Sequence, residues 1–323
     1  MASVLNEAYF HDEAAAFKAL EEILWPDGPV CPLCGNHDAS KIGVLKGVRG
    51  KPTKKNPEGA VRLGLHKCYA CRGQFRVTKG TVFEHGHLKL HQWFQAAYLL
   101  CSSKKGCSSN QLARTLGVTV KTAWFASHRI REAMRDGGLK VPFGASGGAV
   151  EVDETFIGNK KGAKKRAAFH HKMKVLTLID RESGQARSIV MDKLNSRKIG
   201  AIMRKNMSHE ARLMTDEAGH YTRLGMEYAD HQVVHHGKEE YVRGEAHTNT
   251  AEGFFSVFKR GMKGTYQHCQ EKHLHRYLAE FDFRYNHRAK LGVNDMGRAT
   301  VALFGAKGKR LLYRDSFAWQ KSP

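Results

Sequence analysis

The chain has 323 residues, enough for two or three domains with cores of their own. Lysine and arginine outnumber aspartate and glutamate by 53 to 31, so the formal net charge is +22 at pH 7. This excess suits a polyanionic partner, and because neither a spanning apolar run nor a basic amphipathic anchor is present, nucleic acid is favoured over membrane. The start lacks the basic and apolar blocks of a signal peptide, so we expect a cytoplasmic protein.

A short amphipathic helix is predicted in residues 1–25, and it ends before Pro26. Two CxxC pairs follow it in the chain. Each pair forms a tight turn that places two thiolates on one ion, and four thiolates complete a closed tetrahedral site. Because a closed site has no open position, we expect one structural Zn²⁺ in a zinc ribbon. Its predicted ligands are Cys31, Cys34, Cys68 and Cys71.

Residues 89–136 are predicted to be helical. A helix capped by Ser108 or Ser109, a turn at Gly117 and a second helix capped by Thr119 make a helix-turn-helix pattern. With the strong positive charge we interpret it as DNA-binding, the alternative being a plain helical hairpin. The residues predicted to line its DNA-facing surface are Lys121, Thr122, Trp124, His128 and Arg129.

A glycine-rich linker at residues 137–148 marks a change of pattern. Beyond it, three strand candidates occupy AVEVDETFIG, MKVLTLIDRESG and QARSIVMDKL. Helix and strand then alternate through SRKIGAIMRKNM, ARLMTDEAG, YTRLGMEYA and HQVVHHG. This order predicts a mixed sheet covered by helices.

Acidic residues stand out in three segments of this region. Asp153 lies within one apolar run and Asp216 ends another. Glu252 lies in residues 247–266, which form an amphipathic helix at 100° per residue. Its polar face carries Asn249, Glu252, Ser256 and Lys259, opposite Phe254, Phe255 and Phe258. Two strand acids and a helical glutamate would make a metal site of three carboxylates, whereas alone the helix would be read as having a solvated charged face.

The ribbon, the helix-turn-helix and the segments VEVDETFIG, MTDEAG and HTNTAEGFFSVFKRGMKGTYQH together resemble bacterial insertion-sequence transposases of the zinc-ribbon-bearing IS1595 family. The resemblance covers residues 31–288. It implies an RNase H-like domain with a DDE triad of Asp153, Asp216 and Glu252, followed two turns later by Lys259. Some relatives have asparagine at the third acidic position, so Asn249 stays open as a ligand.

The implied activity is metal-dependent DNA cleavage and strand transfer at the ends of an insertion sequence. Oxygen-only ligands suit two Mg²⁺ or Mn²⁺ ions per site. The implied partners are double-stranded DNA, as terminal inverted repeats and target, and further copies of the chain in a synaptic complex. Two other functions fit the residues: a DNA-binding regulator whose nuclease-like domain is inactive, and an RNase H-like nuclease without strand joining.

Other polar residues receive lesser roles. Glu151 shares a strand face with Asp153, whereas Glu154 and Glu217 point away by the two-residue period, and we expect all three to be surface or supporting acids. His247 is the best candidate for a supporting histidine. Further DNA contacts are predicted at Lys160, Lys161, Lys164, Lys165, Arg166, Arg260 and Lys263.

We therefore expect a multidomain α+β protein. The predicted domains are an N-terminal helix with zinc ribbon in residues 1–88, a helix-turn-helix region in 89–136, an RNase H-like mixed α/β catalytic domain in 148–290 and a C-terminal tail in 291–323.

Overall fold

The computed structural model describes residues 3–54, 56–135, 141–164, 169–240 and 242–312. These residues form two compact units. The first unit comprises the described parts of 1–103, 108–134 and 295–316, and the sheet unit comprises 104–107 and the described parts of 135–294. Within the described ranges, the helices are all too short or too polar to cross a bilayer.

The first unit begins with helix α1, Glu13–Leu24. The Asp12 side chain caps it by accepting the backbone N–H of Ala15, and its apolar side is buried. A small antiparallel sheet follows, with strands β1 (Ile42–Val44), β2 (His66–Cys68) and β3 (Gln74–Phe75) in the order β1-β2-β3. Cys31 and Cys34 precede β1, Cys68 ends β2 and Cys71 lies in the turn between β2 and β3.

Three helices follow in the first unit: α2 (Leu90–Ser102), α3 (Ser109–Leu116) and α4 (Val120–Met134). The Ser108 side chain caps α3, Gly117 ends it with a φ of 66°, and the Thr119 hydroxyl accepts the N–H of Thr122 at the start of α4. Gly117 suits this turn because only glycine adopts the left-handed conformation without steric cost. The predicted helix-turn-helix pattern is therefore present.

The sheet unit is built on five strands. In chain order they are β4 (Ala149–Ile157), β5 (Met173–Asp180), β6 (Ala186–Met191), β7 (Arg212–Asp216) and β8 (Asp230–Val234). Their order across the sheet is β6-β5-β4-β7-β8. The first three pair antiparallel as successive neighbours, while β7 runs parallel to both β4 and β8. The predicted mixed α/β arrangement is confirmed.

Helices cover both faces of this sheet. Helices α5 (Ser196–Asn206) and α6 (Tyr221–Leu224) pack on one face, and α7 (Asn249–Gly261) and α8 (Glu271–Asn286) on the other. Val150 and Val152 of β4 belong to the α5 and α6 cluster, whereas Ile157 belongs to the α7 and α8 cluster. Because side chains alternate along a strand, Glu151 and Asp153 face α7, and Glu154 faces α6.

The described part of the expected C-terminal tail is structured. Asp295–Phe304 forms helix α9 in the first unit, where it packs on α2 and buries Ala299, Ala302 and Leu303. The Arg298 guanidinium donates to the carbonyl of Cys101 over 2.7 Å. The described parts of the ribbon, the helix-turn-helix and α9 lie in one compact unit, in which α9 packs on α2.

Candidate active site and zinc centre

The four cysteines of the ribbon converge. Sγ of Cys31 lies 3.7 Å from that of Cys71, and Sγ of Cys34 lies 3.8 Å from that of Cys68. All four sulfurs lie within 4.8 Å of one another. A tetrahedral ion with Zn–S bonds of about 2.3 Å requires sulfur–sulfur edges of about 3.8 Å, so the cluster fits structural zinc.

The two cysteine turns share one backbone arrangement. The N–H of Cys31 donates to the carbonyl of Asn36 over 2.8 Å, and the N–H of Cys68 donates to that of Gly73 over 2.9 Å. Each turn therefore closes five residues after its first cysteine. Those first cysteines are buried beside Phe75, and the second ones are exposed. Two rigid turns joined by a small sheet hold the thiols together without a disulfide.

Asp153 and Asp216 occupy corresponding positions on neighbouring parallel strands. Glu151 of β4 pairs with Met214 of β7, and each aspartate lies two residues beyond its member of that pair. The Asp153 carboxylate accepts the N–H of Glu154 over 2.7 Å. The Asp216 carboxylate accepts the N–H of Ala218 over 3.1 Å, where β7 ends. Because paired residues of parallel strands point to the same face, both carboxylates lie on the face covered by α7.

Glu151 holds the start of α7 against β4. Its buried carboxylate accepts the Thr250 hydroxyl over 2.7 Å and the Ala251 N–H over 2.9 Å. Thr248 precedes the helix and makes no side-chain cap of its own, so the strand acid satisfies the helix N-terminus. Glu252 is the next residue after Ala251, and its helical turn is therefore fixed to the strand that carries Asp153.

Arg181 completes this junction. It donates Nε to the Glu151 carboxylate over 2.7 Å, and its other nitrogens donate to the carbonyls of Glu245 and His247 over 2.7 and 2.8 Å. His247 Nδ1 lies 3.3 Å from the Glu151 carboxylate. Sequence reasoning proposed a supporting role for His247 but missed Arg181, whose only signal is its position directly after a strand.

The acidic groups influence one another electrostatically. Burial raises the pKa of Asp153 to about 7, and the charges of Asp216, Glu154 and Glu252 add to the rise. Burial also raises the pKa of Asp216, with Glu154 contributing. For Lys259, burial lowers the pKa of the ammonium, while the charge of Asp153 acts in the opposite direction. A half-buried set of acids with a lysine beside it is the arrangement expected of a cation-binding site.

Helix α7 has the two faces predicted from its sequence. Asn249, Glu252 and Ser256 are exposed, and Lys259 is half-buried. Phe254, Phe255 and Phe258 are buried against the sheet. Across the described part of the chain, the four cysteines form the one group of ligand atoms close enough to hold a metal ion, so the three carboxylates do not converge in the same way. Glu252 lies on the exposed face of the helix.

The acids considered as rivals have other partners. Glu151 and Glu154 were expected to be surface or supporting acids, but both side chains are buried. Glu154 accepts from Tyr221 over 2.7 Å and lies 2.6 Å from Nε2 of His220, on the opposite sheet face from Asp153. Glu217 is exposed and accepts a backbone N–H over 3.0 Å. The two-residue period predicted the faces of Glu151 and Glu154 on β4 correctly, but it could not reveal that both are buried.

Two of the residues predicted to line the DNA-facing surface of the helix-turn-helix are buried. His128 and Arg129 are 0% and 3% exposed, so they do not lie on an outer DNA-facing surface. The second half of α4 is buried within the first unit. Because that half contains polar residues, the sequence pattern did not indicate its burial. Near the start of α4, Lys121 is exposed and Thr122 and Trp124 are half-buried. These three side chains therefore remain accessible for contacts with a partner.

The remaining basic candidates differ in exposure. Lys160 is half-buried and pairs with Glu271 over 2.9 Å, so it helps to hold the sheet unit together. The Arg260 guanidinium donates to the Ser256 carbonyl over 3.2 Å along an exposed helix face. Lys161, Lys164 and Lys263 are exposed. Lys165 and Arg166 lie outside the described residues.

Two domain matches agree with this organisation. Residues 145–286 match the ISXO2-like transposase domain, and residues 11–74 match the transposase zinc-ribbon domain. The chain is 26% identical over 299 residues to an uncharacterized protein in transposable element ISH50 of Halobacterium salinarum, a match covering 85% of this chain and 91% of that protein. A solved simian T-cell lymphotropic virus intasome, in complex with a PP2A regulatory subunit, matches at 14% identity and a TM-score of 0.29 over 53% of this chain and 63% of that one.

The two domain matches support a transposase, and the described mixed sheet and cysteine cluster agree with them. The chain carries the ISXO2-like transposase domain, and the transposase zinc-ribbon domain precedes it.

Proposed function

We propose that the chain cuts and joins DNA at the ends of an insertion sequence, through an RNase H-like sheet unit with a DDE triad of Asp153, Asp216 and Glu252. The observation that carries the proposal is the position of Asp153. Its half-buried carboxyl lies within the electrostatic influence of Asp216, Glu252 and Lys259, which are the residues that the family resemblance assigns to catalysis.

The donor set suits Mg²⁺ or Mn²⁺. The three acids offer only oxygen, which hard divalent cations prefer, and burial, with the added charges of Asp216, Glu154 and Glu252, raises the pKa of Asp153. Two such ions would stabilise the attacking and leaving oxygens of an in-line phosphoryl transfer. Asn249 lies one turn before Glu252 on the same exposed face and is the alternative third ligand.

In this proposal each of the four residues has its own role. Asp153 and Asp216 are fixed by β4 and β7 and form the rigid part of the ion site. Glu252 completes it by a side-chain rotation when DNA and ions bind, which accounts for the three carboxylates not converging as the cysteines do. Lys259 neutralises a backbone phosphate next to the scissile bond, and a water and then a 3′-hydroxyl act as successive nucleophiles.

DNA recognition falls to other parts of the chain. Lys121 and Thr122 contact the DNA from the start of α4, where helix-turn-helix proteins meet the major groove. Lys161, Lys164, Arg260 and Lys263 are exposed in the sheet unit and bind phosphates around the cut. The substrates are terminal inverted repeats and target DNA, and copies of the chain assemble to hold two ends together.

The test is an end-cleavage assay with the full chain, Mg²⁺ and DNA that carries the element's end. We expect Asp153→Asn and Asp216→Asn to lower the cutting rate by much more than about a hundredfold, which is the loss typical when a residue that only supports a metal ligand is changed. Binding to the DNA end should be retained. Glu217→Gln, which changes an exposed neighbour of Asp216, is the matched control and keeps activity.

The products separate the competing functions. Specific nicking followed by joining supports a transposase, and nicking without joining indicates a nuclease. Binding without cutting by the wild-type chain would indicate a DNA-binding regulator, and full activity of both aspartate variants would mean that other acids hold the ions.

A further inference from the structure

The first unit contains a cavity that the proposed cleavage chemistry does not use. It has a volume of about 420 Å³, within the range of small-molecule sites. Helix α4 supplies one wall through residues spaced along a single face, and the segment before α2 and the end of the described chain supply the others. The lining residues that matter here are Trp93, Lys121, Phe125, Ala126, Arg129 and Leu311.

The interior of the cavity is lined by two aromatic rings, an aliphatic side chain and one guanidinium group. The Arg129 guanidinium lies 5.7 Å from the ring centre of Trp93 and 5.3 Å from that of Phe125. Leu311 is buried and adds an aliphatic surface. Aromatic side chains next to a guanidinium bind flat, electron-rich rings by stacking and by cation–π attraction.

Arg129 retains hydrogen-bonding capacity toward a ligand. Arg129 is buried, with only 3% of its surface exposed. One of its nitrogens donates to the carbonyl of Glu84, but Nε has no hydrogen-bond partner among the described residues. Burial lowers the pKa of this guanidinium to about 10, which reflects the energetic cost of holding it there. A ligand that presents an acceptor atom would reduce that cost.

The edge of the cavity is basic and lies at the start of the helix-turn-helix recognition helix. Lys121 and His85 are exposed there, and Thr122 contributes a hydroxyl. Among the described residues that line the cavity, none is acidic, although the Glu84 carboxylate lies 3.3 Å from Nε2 of His85, so Lys121 is the main cation at this edge. An anionic group attached to the bound ring is therefore favoured at this edge.

We propose that this cavity binds one nucleotide that is not base-paired, with its base between Phe125, Trp93 and Leu311, an acceptor edge of the base on Arg129 and its phosphate beside Lys121. The shared chemistry is a flat base joined to a phosphate, which an unstacked nucleotide of bound DNA and a free mononucleotide both provide. The site would let the first unit distinguish a distorted or single-stranded DNA end from an ordinary duplex. This inference rests on the proposed DNA-binding role of the first unit.

The experiment uses the full chain and three short duplexes of the same sequence. One is fully paired, one has a single unpaired 2-aminopurine, and one has an abasic site at that position. We expect the duplex with the unpaired base to bind about tenfold more tightly than the duplex with the abasic site. Stacking of one base on aromatic side chains contributes roughly the binding free energy that corresponds to this ratio. The 2-aminopurine fluorescence should fall on binding.

Two variants of one residue test the location. Ala126→Leu fills the cavity, and we expect it to remove the preference for the unpaired base while the fully paired duplex binds as before. Ala126→Gly weakens the helix but leaves the cavity open, so it should keep the preference. Competition by free dGMP would assign the site to mononucleotides, and failure of dGMP to compete would assign it to a nucleotide within DNA.

Equal binding of the three duplexes by the wild-type chain would overturn the proposal even if every variant failed to fold. Retention of the preference in Ala126→Leu would overturn it as well. If the wild-type chain bound none of the three duplexes, including the fully paired one, the proposed DNA-binding function itself would be contradicted. The two failures are therefore distinguishable.

Discussion

Asp153 is the residue on which the proposed chemistry depends. Its half-buried carboxyl shares a sheet face with Asp216, and burial together with neighbouring acids raises its pKa to about 7. In an unfolded chain an aspartate loses its proton near pH 4. Between these values the folded state holds a proton that the unfolded state has lost, so the metal-free protein loses stability as pH rises from about 4 to about 7.

This difference predicts the behaviour of Asp153→Asn. Without divalent ions, the variant should be more stable than the wild type by roughly 2–4 kcal/mol at about pH 8, and the gain should shrink as the pH falls toward about 4. Thermal unfolding over a pH series measures it. Mg²⁺ should stabilise the wild type and leave the variant unchanged, whereas equal stabilisation of both would place the ion elsewhere.

Glu151 shows how one residue sets the geometry between a strand and a helix. Its buried carboxylate binds Arg181 and the start of α7, so removing it leaves a cation and helix N–H groups without their acceptor. We expect Glu151→Ala to destabilise the protein by about 2–4 kcal/mol and to lower cleavage by displacing Glu252. Thermal unfolding and the end-cleavage assay measure the two effects.

Glu182 provides the control for this experiment because it is exposed and directly follows Arg181. Glu182→Ala should leave both stability and cleavage close to wild type. A Glu151→Ala protein with unchanged unfolding temperature would show that the carboxylate is not the anchor of α7.

At the scale of elements, the zinc ribbon is the part most completely predictable from sequence. Two CxxC pairs specify both the ligands and their tight turns, and the sulfur separations of 3.7 and 3.8 Å match that expectation. We expect the purified protein to contain one zinc per chain, and Cys71→Ser to lose it and to unfold the ribbon. Metal analysis measures the content, and Cys269→Ser, outside the cluster, should retain the zinc.

Helix α4 marks the limit of such reasoning. Its caps and its start were predictable, because Gly117 and Thr119 act through local backbone geometry. The burial of His128 and Arg129 was not, because polar side chains in a sequence suggest a solvated surface until tertiary packing encloses them. For the same reason no local pattern predicted the capping role of Glu151, whose partners in α7 lie about 100 residues further along the chain.

For the whole molecule, the net charge of +22 is the dominant property. Binding to a fully paired duplex should weaken by at least about a hundredfold between 50 and 200 mM salt, since each neutralised phosphate releases counterions. Fluorescence anisotropy in a salt series measures the slope. An affinity that is independent of salt would mean that phosphate contacts contribute little, in conflict with the basic surface.

The C-terminal region was the least predictable part of the whole molecule. Helix α9 is short, and the residues that it packs against in α2 are nearly 200 positions earlier in the chain. No local pattern encodes such a pairing. The end of the described chain also contributes Leu311 to the cavity in the first unit, so a region that seemed uninformative completes a candidate binding site.

The central claim is that Asp153, Asp216 and Glu252 hold divalent ions at the DNA end. Anomalous scattering from crystals of the full chain with end DNA and Mn²⁺ tests it most directly. We predict peaks in contact with the Asp153 and Asp216 carboxylates, separated by about 4 Å, with Glu252 rotated onto one of them. Occupied Mn²⁺ sites elsewhere, with these carboxylates bare beside the bound DNA, would contradict the account.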